Sequence, residues 1–201
     1  YKLNSKLNRS QAVVQNAQNS LSYLQVQDSG LQTVGKILDR MGELRTMSQD
    51  ITKNSQDIEN YSKEFIELQS QLNQIKQEKF NGISLFSAQG SATEGTLIQN
   101  SGVQVTTAGG QTVSYDKFGR TLITHPSGVD TMGSISINVV NLQFVLSIGT
   151  LANSGTANID LGGLDTTANA GGINADGFIS SILDVNVSQF TEAIERLADM
   201  R

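Results

Sequence analysis

Apolar side chains recur at Leu7, Val14, Ala17, Leu21, Leu24, Leu31, Val34, Leu38, Met41 and Leu44, in steps of three, four and seven. Steps of this size fall on one stripe of an α-helix, which turns once in about 3.6 residues. The run predicts one helix through residues 1–47, roughly 70 Å long at about 1.5 Å per residue. A helix that long has a stripe it cannot bury alone, so the chain must supply or find partner helices.

Two partners are visible. The polar stretch Ser48-Gln49-Asp50-Ile51-Thr52-Lys53-Asn54-Ser55 holds side chains that compete for backbone hydrogen bonds and cap helices, and it predicts a turn. Beyond it Ile58, Tyr61, Phe65, Leu68, Leu72 and Ile75 alternate in threes and fours, the spacing of a coiled-coil seam. Glu59, Lys63, Glu64, Glu67 and Lys76 lie between them and suit the wet side. At the far end Leu183, Val187, Phe190, Ile194, Leu197 and Arg201 repeat the spacing, with Ala193 beside them and Asn186 with Gln189, or Ser188, as the cap.

Glycine marks what separates these helices. Of the 19 glycines only Gly30, Gly35 and Gly42 precede Phe80, and the rest lie between Gly82 and Gly177. Val103-Gln104-Val105, Thr112-Val113-Ser114-Tyr115, Thr121-Leu122-Ile123 and Ile135-Ser136-Ile137-Asn138-Val139 alternate with a period of two, as half-buried strands do. Gly109-Gly110 and Phe118-Gly119 are expected hairpin turns, Leu142 to Ile148 reads as either strand or short helix, and Ala152 to Ala175 reads as loop or weakly paired strand. The predicted class is α+β: an elongated bundle of long N-terminal helices and a C-terminal helix packed as a coiled coil, with a β-rich central insertion of hairpins. Residues 1–80 with 183–201 are the expected discontinuous helical rod, and 81–182 the β-rich region.

Composition narrows function. With no Cys, one His (His125) and one Pro (Pro126), the chain has no disulfide, thiolate metal site or Cys-His dyad. His125 has no G-x-S-x-G context, and His125-Pro126 in a Ser- and Gly-rich turn reads as structural. No zincin, phosphate-loop or EF-hand pattern occurs, and Gly162-Gly163-Leu164-Asp165 with Gly171-Gly172-Ile173-Asn174 is only a loose likeness to calcium-binding repeats. The expectation is no enzyme, no cofactor and no metal. The net charge of -5 argues against nucleic acid, and no apolar run is long enough to span a membrane or serve as a secretion signal.

The sharpest local signal is Gln77-Glu78-Lys79-Phe80-Asn81-Gly82-Ile83-Ser84-Leu85-Phe86. It reads as a helix exit, with Asn81-Gly82 turning the chain and Phe80 and Leu85 anchoring it. In position and wording it resembles the F-N-G motif at the end of the second core helix of bacterial flagellins. Asn16-Ala17-Gln18-Asn19-Ser20-Leu21-Ser22-Tyr23-Leu24-Gln25 and Leu31-Gln32-Thr33-Val34-Gly35-Lys36-Ile37-Leu38-Asp39-Arg40-Met41-Gly42-Glu43-Leu44 are similar to that family's N-terminal region. Phe190-Thr191-Glu192-Ala193-Ile194-Glu195-Arg196-Leu197-Ala198-Asp199-Met200-Arg201 looks like the start of its C-terminal region.

The resemblance implies a structural subunit that leaves the cell by the flagellar type III route and self-assembles into the extracellular filament for motility, with the middle of the chain as the family's variable part. Its implied partners are other flagellin subunits, an export chaperone and the filament cap. The chain reads as a core portion lacking both extreme termini, expected to be monomeric alone. In some members the first two core helices meet Toll-like receptor 5; the matching positions are Arg40, Glu43, Leu44 and Glu64, an expected receptor or subunit interface. Gly42 stands where the family often has Arg, and Arg45-Thr46-Met47 where it usually has Ala-Val-Gln. The competing readings are a hook-filament junction protein and a secreted adhesin-like module.

Overall fold

The computed structural model describes residues 1–80, 83–86, 97–106, 112–129, 131–148, 159–160 and 178–201. The architecture is α+β, with a long N-terminal helix, a C-terminal helix and antiparallel strands between them. Helix α1 runs Lys2–Ser48 and α2 Ser55–Lys76. Strands β1 (Lys79–Phe80) and β2 (Ile83–Ser84) pair, β3 (Leu97–Thr106), β4 (Thr112–Ile123) and β5 (Ser134–Val139) form a three-stranded sheet in that order, and after α3 (Leu142–Leu146) strands β6 (Ser147–Ile148) and β7 (Ile159–Asp160) pair. A 3-10 turn at Ile182–Asp184 leads into α4, Val187–Met200.

The turn between α1 and α2 forms where the polar run predicts it. Asp50 Oδ1 accepts from Thr52 N–H at 2.9 Å and from the Thr52 hydroxyl at 2.8 Å, and these bonds hold the Asp50 carboxyl below its ordinary pKa. Asn54 and Asp57 then close a reciprocal capping box: the Asn54 side chain accepts from Asp57 N–H at 2.9 Å, and Asp57 Oδ2 from Asn54 N–H at 3.2 Å. At the start of α4 the Gln189 side chain accepts from Asn186 N–H at 2.8 Å.

The chain divides into two compact units, one of residues Tyr1–Ser29 with Lys79–Asn141, the other of Gly30–Glu78 with Leu142–Arg201. In the first unit Tyr23, Leu85, Phe86, Phe118, Ile137 and Val139 are buried. Tyr23 donates its hydroxyl to Ser84 O at 2.8 Å and stands edge-on to Phe80 at 6.1 Å between ring centroids. Gln27 Nε2 donates to Leu85 O at 2.9 Å and Asn138 O at 3.3 Å, so two side chains one helical turn apart tie α1 to the β1–β2 corner and to β5.

Within the sheet, Phe118-Gly119 is not a turn. Both residues lie inside β4, Phe118 opposite Gln99 and Val139, Gly119 opposite Ile98 and Asn138. Glycine is there because a Cβ would meet Ile137 O at 3.2 Å, so close approach of β5 rather than chain reversal explains it. Between Asn100 and Val103 the register of β3 slips against β4, two residues facing one, as in a β-bulge. The expected turn at Gly109-Gly110 and the two glycine-rich repeats lie outside the described residues. Leu142–Ile148 is both of its readings in succession, α3 then β6.

In the second unit the buried residues include Leu31, Val34, Leu38, Met41 and Leu44 from α1, Phe65, Leu72 and Ile75 from α2, and Ile182, Phe190, Ala193 and Leu197 from the C-terminal segment. Phe65 and Phe190 meet edge-to-face at 6.0 Å between centroids. A Cβ on Gly35 would touch Leu197 at 3.4 Å and one on Gly42 would touch Phe190 at 3.9 Å, so these glycines let α4 lie close along α1. The final helix therefore packs on the two helices that open this unit.

Candidate functional site

The predicted surface is built on α1 and α2 within the second unit. Arg40 grips Glu64 with two bonds, Nε to Oε1 at 2.7 Å and Nη2 to Oε2 at 3.2 Å, while its Nη1 reaches Glu43 at 3.0 Å one turn along its own helix. The fork of a guanidinium matches a carboxylate edge, so Glu64 fixes Arg40 in orientation as well as charge. Hydrogen bonding to Glu64 first, then to Glu43, raises the Arg40 pKa further above its ordinary value, and the group stays cationic at any relevant pH. Half-exposed, the trio carries one positive and two negative charges.

Leu44 stands apart from it. Its side chain is fully buried in the core, so it supports α1 from beneath and presents nothing outward in this unit. Phe80 ends β1 against Tyr23, whereas Asn81 and Gly82 lie outside the described residues.

A different surface lies on the first half of α1. Leu3 is 79% exposed, Leu7 56%, Val14 57% and Leu21 56%. The last three are spaced by seven, with Leu3 four before them, so all share one face. Tyr23 and Gln27 sit roughly 160° around the helix from this row, at about 100° per residue. In the first half of α1, one face thus carries Tyr23 and Gln27 into its unit and the opposite face carries the exposed apolar row.

Hydropathy also misses what holds the returning C-terminal segment. Gln69, fully buried, donates Nε2–H to Ile179 O and accepts from Ile179 N–H through Oε1, both at 2.8 Å, as a neighbouring strand would. Ser62 Oγ accepts from Ile182 N–H at 3.1 Å, and Arg45 donates Nε–H to Val185 O. The buried line of α2 is accordingly Ser62, Phe65, Gln69, Leu72 and Ile75, with Ile58, Tyr61 and Leu68 only half-buried. The one signal available was an amide at a helical step from Phe65 and Leu72.

Among the described residues no group of three or more His, Cys, Asp or Glu is placed to hold a metal ion, and no helix is long and apolar enough to cross a membrane.

Residues 1–91 match the family model of the bacterial flagellin N-terminal helical region. No curated protein matches the sequence. Among solved structures, the crystal structure of Bacillus cereus flagellin is similar, with a TM-score of 0.52 and 18% identity over 93% of this chain and 78% of that one. At that identity the likeness concerns the fold alone.

Proposed function

We infer that this chain, a flagellin by its N-terminal helical region over residues 1–91 and by its fold, is a structural subunit of the bacterial flagellar filament. It packs against other flagellin subunits, catalyses nothing, and works outside the cell as part of the flagellum, which it reaches by type III export with a chaperone and the filament cap as transient partners.

The observation that carries this reading is the open apolar row Leu3, Leu7, Val14 and Leu21. A heptad-spaced row on a helix face is the shape that another helix covers. Helical filaments sheared from cells that make the full-length protein are expected to contain this sequence, and Val14→Asp with Leu21→Asp should keep the protein folded but out of the filament. Normal incorporation of the doubly substituted protein, or filaments without the sequence, would refute the assignment.

The trio Arg40, Glu43 and Glu64 supports a second role for the same helices as a docking surface for Toll-like receptor 5 or a neighbouring subunit. The fixed Arg40–Glu64 fork favours it, since a preorganised charged group loses little freedom on binding. Arg40→Ala and Glu64→Ala should each weaken receptor binding by the chain, and unchanged affinity in both would remove the role.

A further inference from the structure

In the first unit a groove of about 430 Å³ runs between the beginning of α1 and the turn that follows β4. Lys2, Lys6 and Arg9 line it from the helix, at steps of four and three that bring them to one face, and His125, Pro126 and Ser127 line it from the turn. His125 O accepts from Gly128 N–H at 3.1 Å with Pro126 next in the turn, and Gly128 at φ 74° completes the reversal, so the loop is held by its own backbone.

Among the described residues, none that lines the groove is acidic, although the chain carries a net charge of -5. Among the described residues Lys2, Lys6 and Arg9 pair with no carboxylate; Arg9 donates only to Ser5 Oγ, at 3.5 Å. His125 Nδ1 accepts from Ser127 N–H at 3.1 Å and lies 2.8 Å from Ser127 Oγ. With Nδ1 acting as the acceptor, the neutral ring carries its proton on Nε2, a further donor. The charge is carried by side chains in the first turns of the helix.

We propose that this groove is an oxyanion-binding site, taking a phosphate, sulfate or carboxylate group on Lys2, Lys6 and Arg9 with His125 beside it. Three cations on a short stretch, paired with no carboxylate among the described residues, attract an anion without first giving up an ion pair there. The same chemistry is offered by a free phosphate compound and by an acidic polysaccharide, and the two are separable by experiment.

His125 is the only histidine, so its ring protons give one unambiguous set of NMR signals. Pyrophosphate and, separately, a sulfated oligosaccharide are titrated into the chain at low ionic strength. A saturable shift of the His125 signals is expected, weakened roughly fivefold by Lys6→Gln and by Arg9→Gln and unchanged by Lys53→Gln, with circular dichroism confirming that the variants fold. Saturation by pyrophosphate assigns the site to a free anion; saturation by the oligosaccharide alone assigns it to a polymer. No saturable shift with either probe, or equal affinity in the Lys6 and Arg9 variants, overturns the proposal, while the filament assignment stands or falls on incorporation.

Discussion

Replacing Gln69 with Leu is expected to destabilise the second unit more than any change to the half-buried apolar residues around it. Gln69 satisfies both backbone groups of Ile179, and Ile179 is itself fully buried. Leucine has nearly the same bulk but leaves one N–H and one C=O in the core without partners, each costing about 1–3 kcal/mol. The added apolar contact offsets part of this, and a net loss of about 2–4 kcal/mol follows. Leu68→Ala is the control: Leu68 belongs to the apolar seam read from sequence but is only half-buried, so it should lose about 1–2 kcal/mol, below the usual range for a fully buried leucine. Urea unfolding of both variants at constant slope gives the two values, and amide exchange at Ile179 shows whether the lost stability is local. A loss below about 1 kcal/mol for Gln69→Leu, or a larger one for Leu68→Ala, would refute the claim that an amide rather than an apolar seam fixes the returning segment.

Phe190→Ala removes a fully buried ring stacked edge-on with Phe65 and should lose about 3–5 kcal/mol by the same unfolding measurement. A double-mutant cycle on Arg40→Ala and Glu64→Ala should show a small stabilising coupling that shrinks as salt is raised, because both side chains are well exposed; a coupling indifferent to salt would contradict this. Burial raises the Asp184 pKa, so the folded state holds its proton more tightly than the unfolded chain does. The stabilising effect is complete below the unfolded pKa and is lost as pH rises through the folded one. Asp184→Asn should therefore raise the thermal midpoint at neutral pH, and its advantage should shrink in acid.

Helix boundaries were legible because they are made of short-range chemistry. The Asn54–Asp57 box and the Asp50–Thr52 turn use side chains within three residues of each other, and such contacts are written in the local sequence. Contacts between distant segments were not. Gly119 looks like a turn residue until β5 lies against it, and nothing local distinguishes a glycine that reverses the chain from one that admits a neighbouring strand. Gln27, Ser62 and Gln69 read as polar surface by hydropathy yet are buried, because their partners are backbone groups far along the chain that hydropathy does not count. Of the residues proposed as an interface, Arg40, Glu43 and Glu64 come together as their spacing on two neighbouring helices allows, whereas Leu44 follows the apolar stripe into the core.

Spacing alone makes the apolar stripe of α1 one continuous seam, whereas in the structure it divides into a buried part and an exposed part. From Leu31 onward the stripe is consumed inside its own unit. Before that point the helix is tied down by Tyr23 and Gln27, two polar-tipped side chains that need specific carbonyl partners, and the leucine and valine row faces the other way. Hydrogen-bonded contacts fix α1 in one orientation, so the open row cannot roll inward to bury itself. An apolar face held outward in this manner is a standing risk of aggregation for a lone molecule, and it is tolerable where a matching helix normally covers it. Because the two faces are opposed, substitutions on the row act on association and those at Tyr23 or Gln27 act on folding, and the two effects should separate cleanly when stability and incorporation are measured on the same variants.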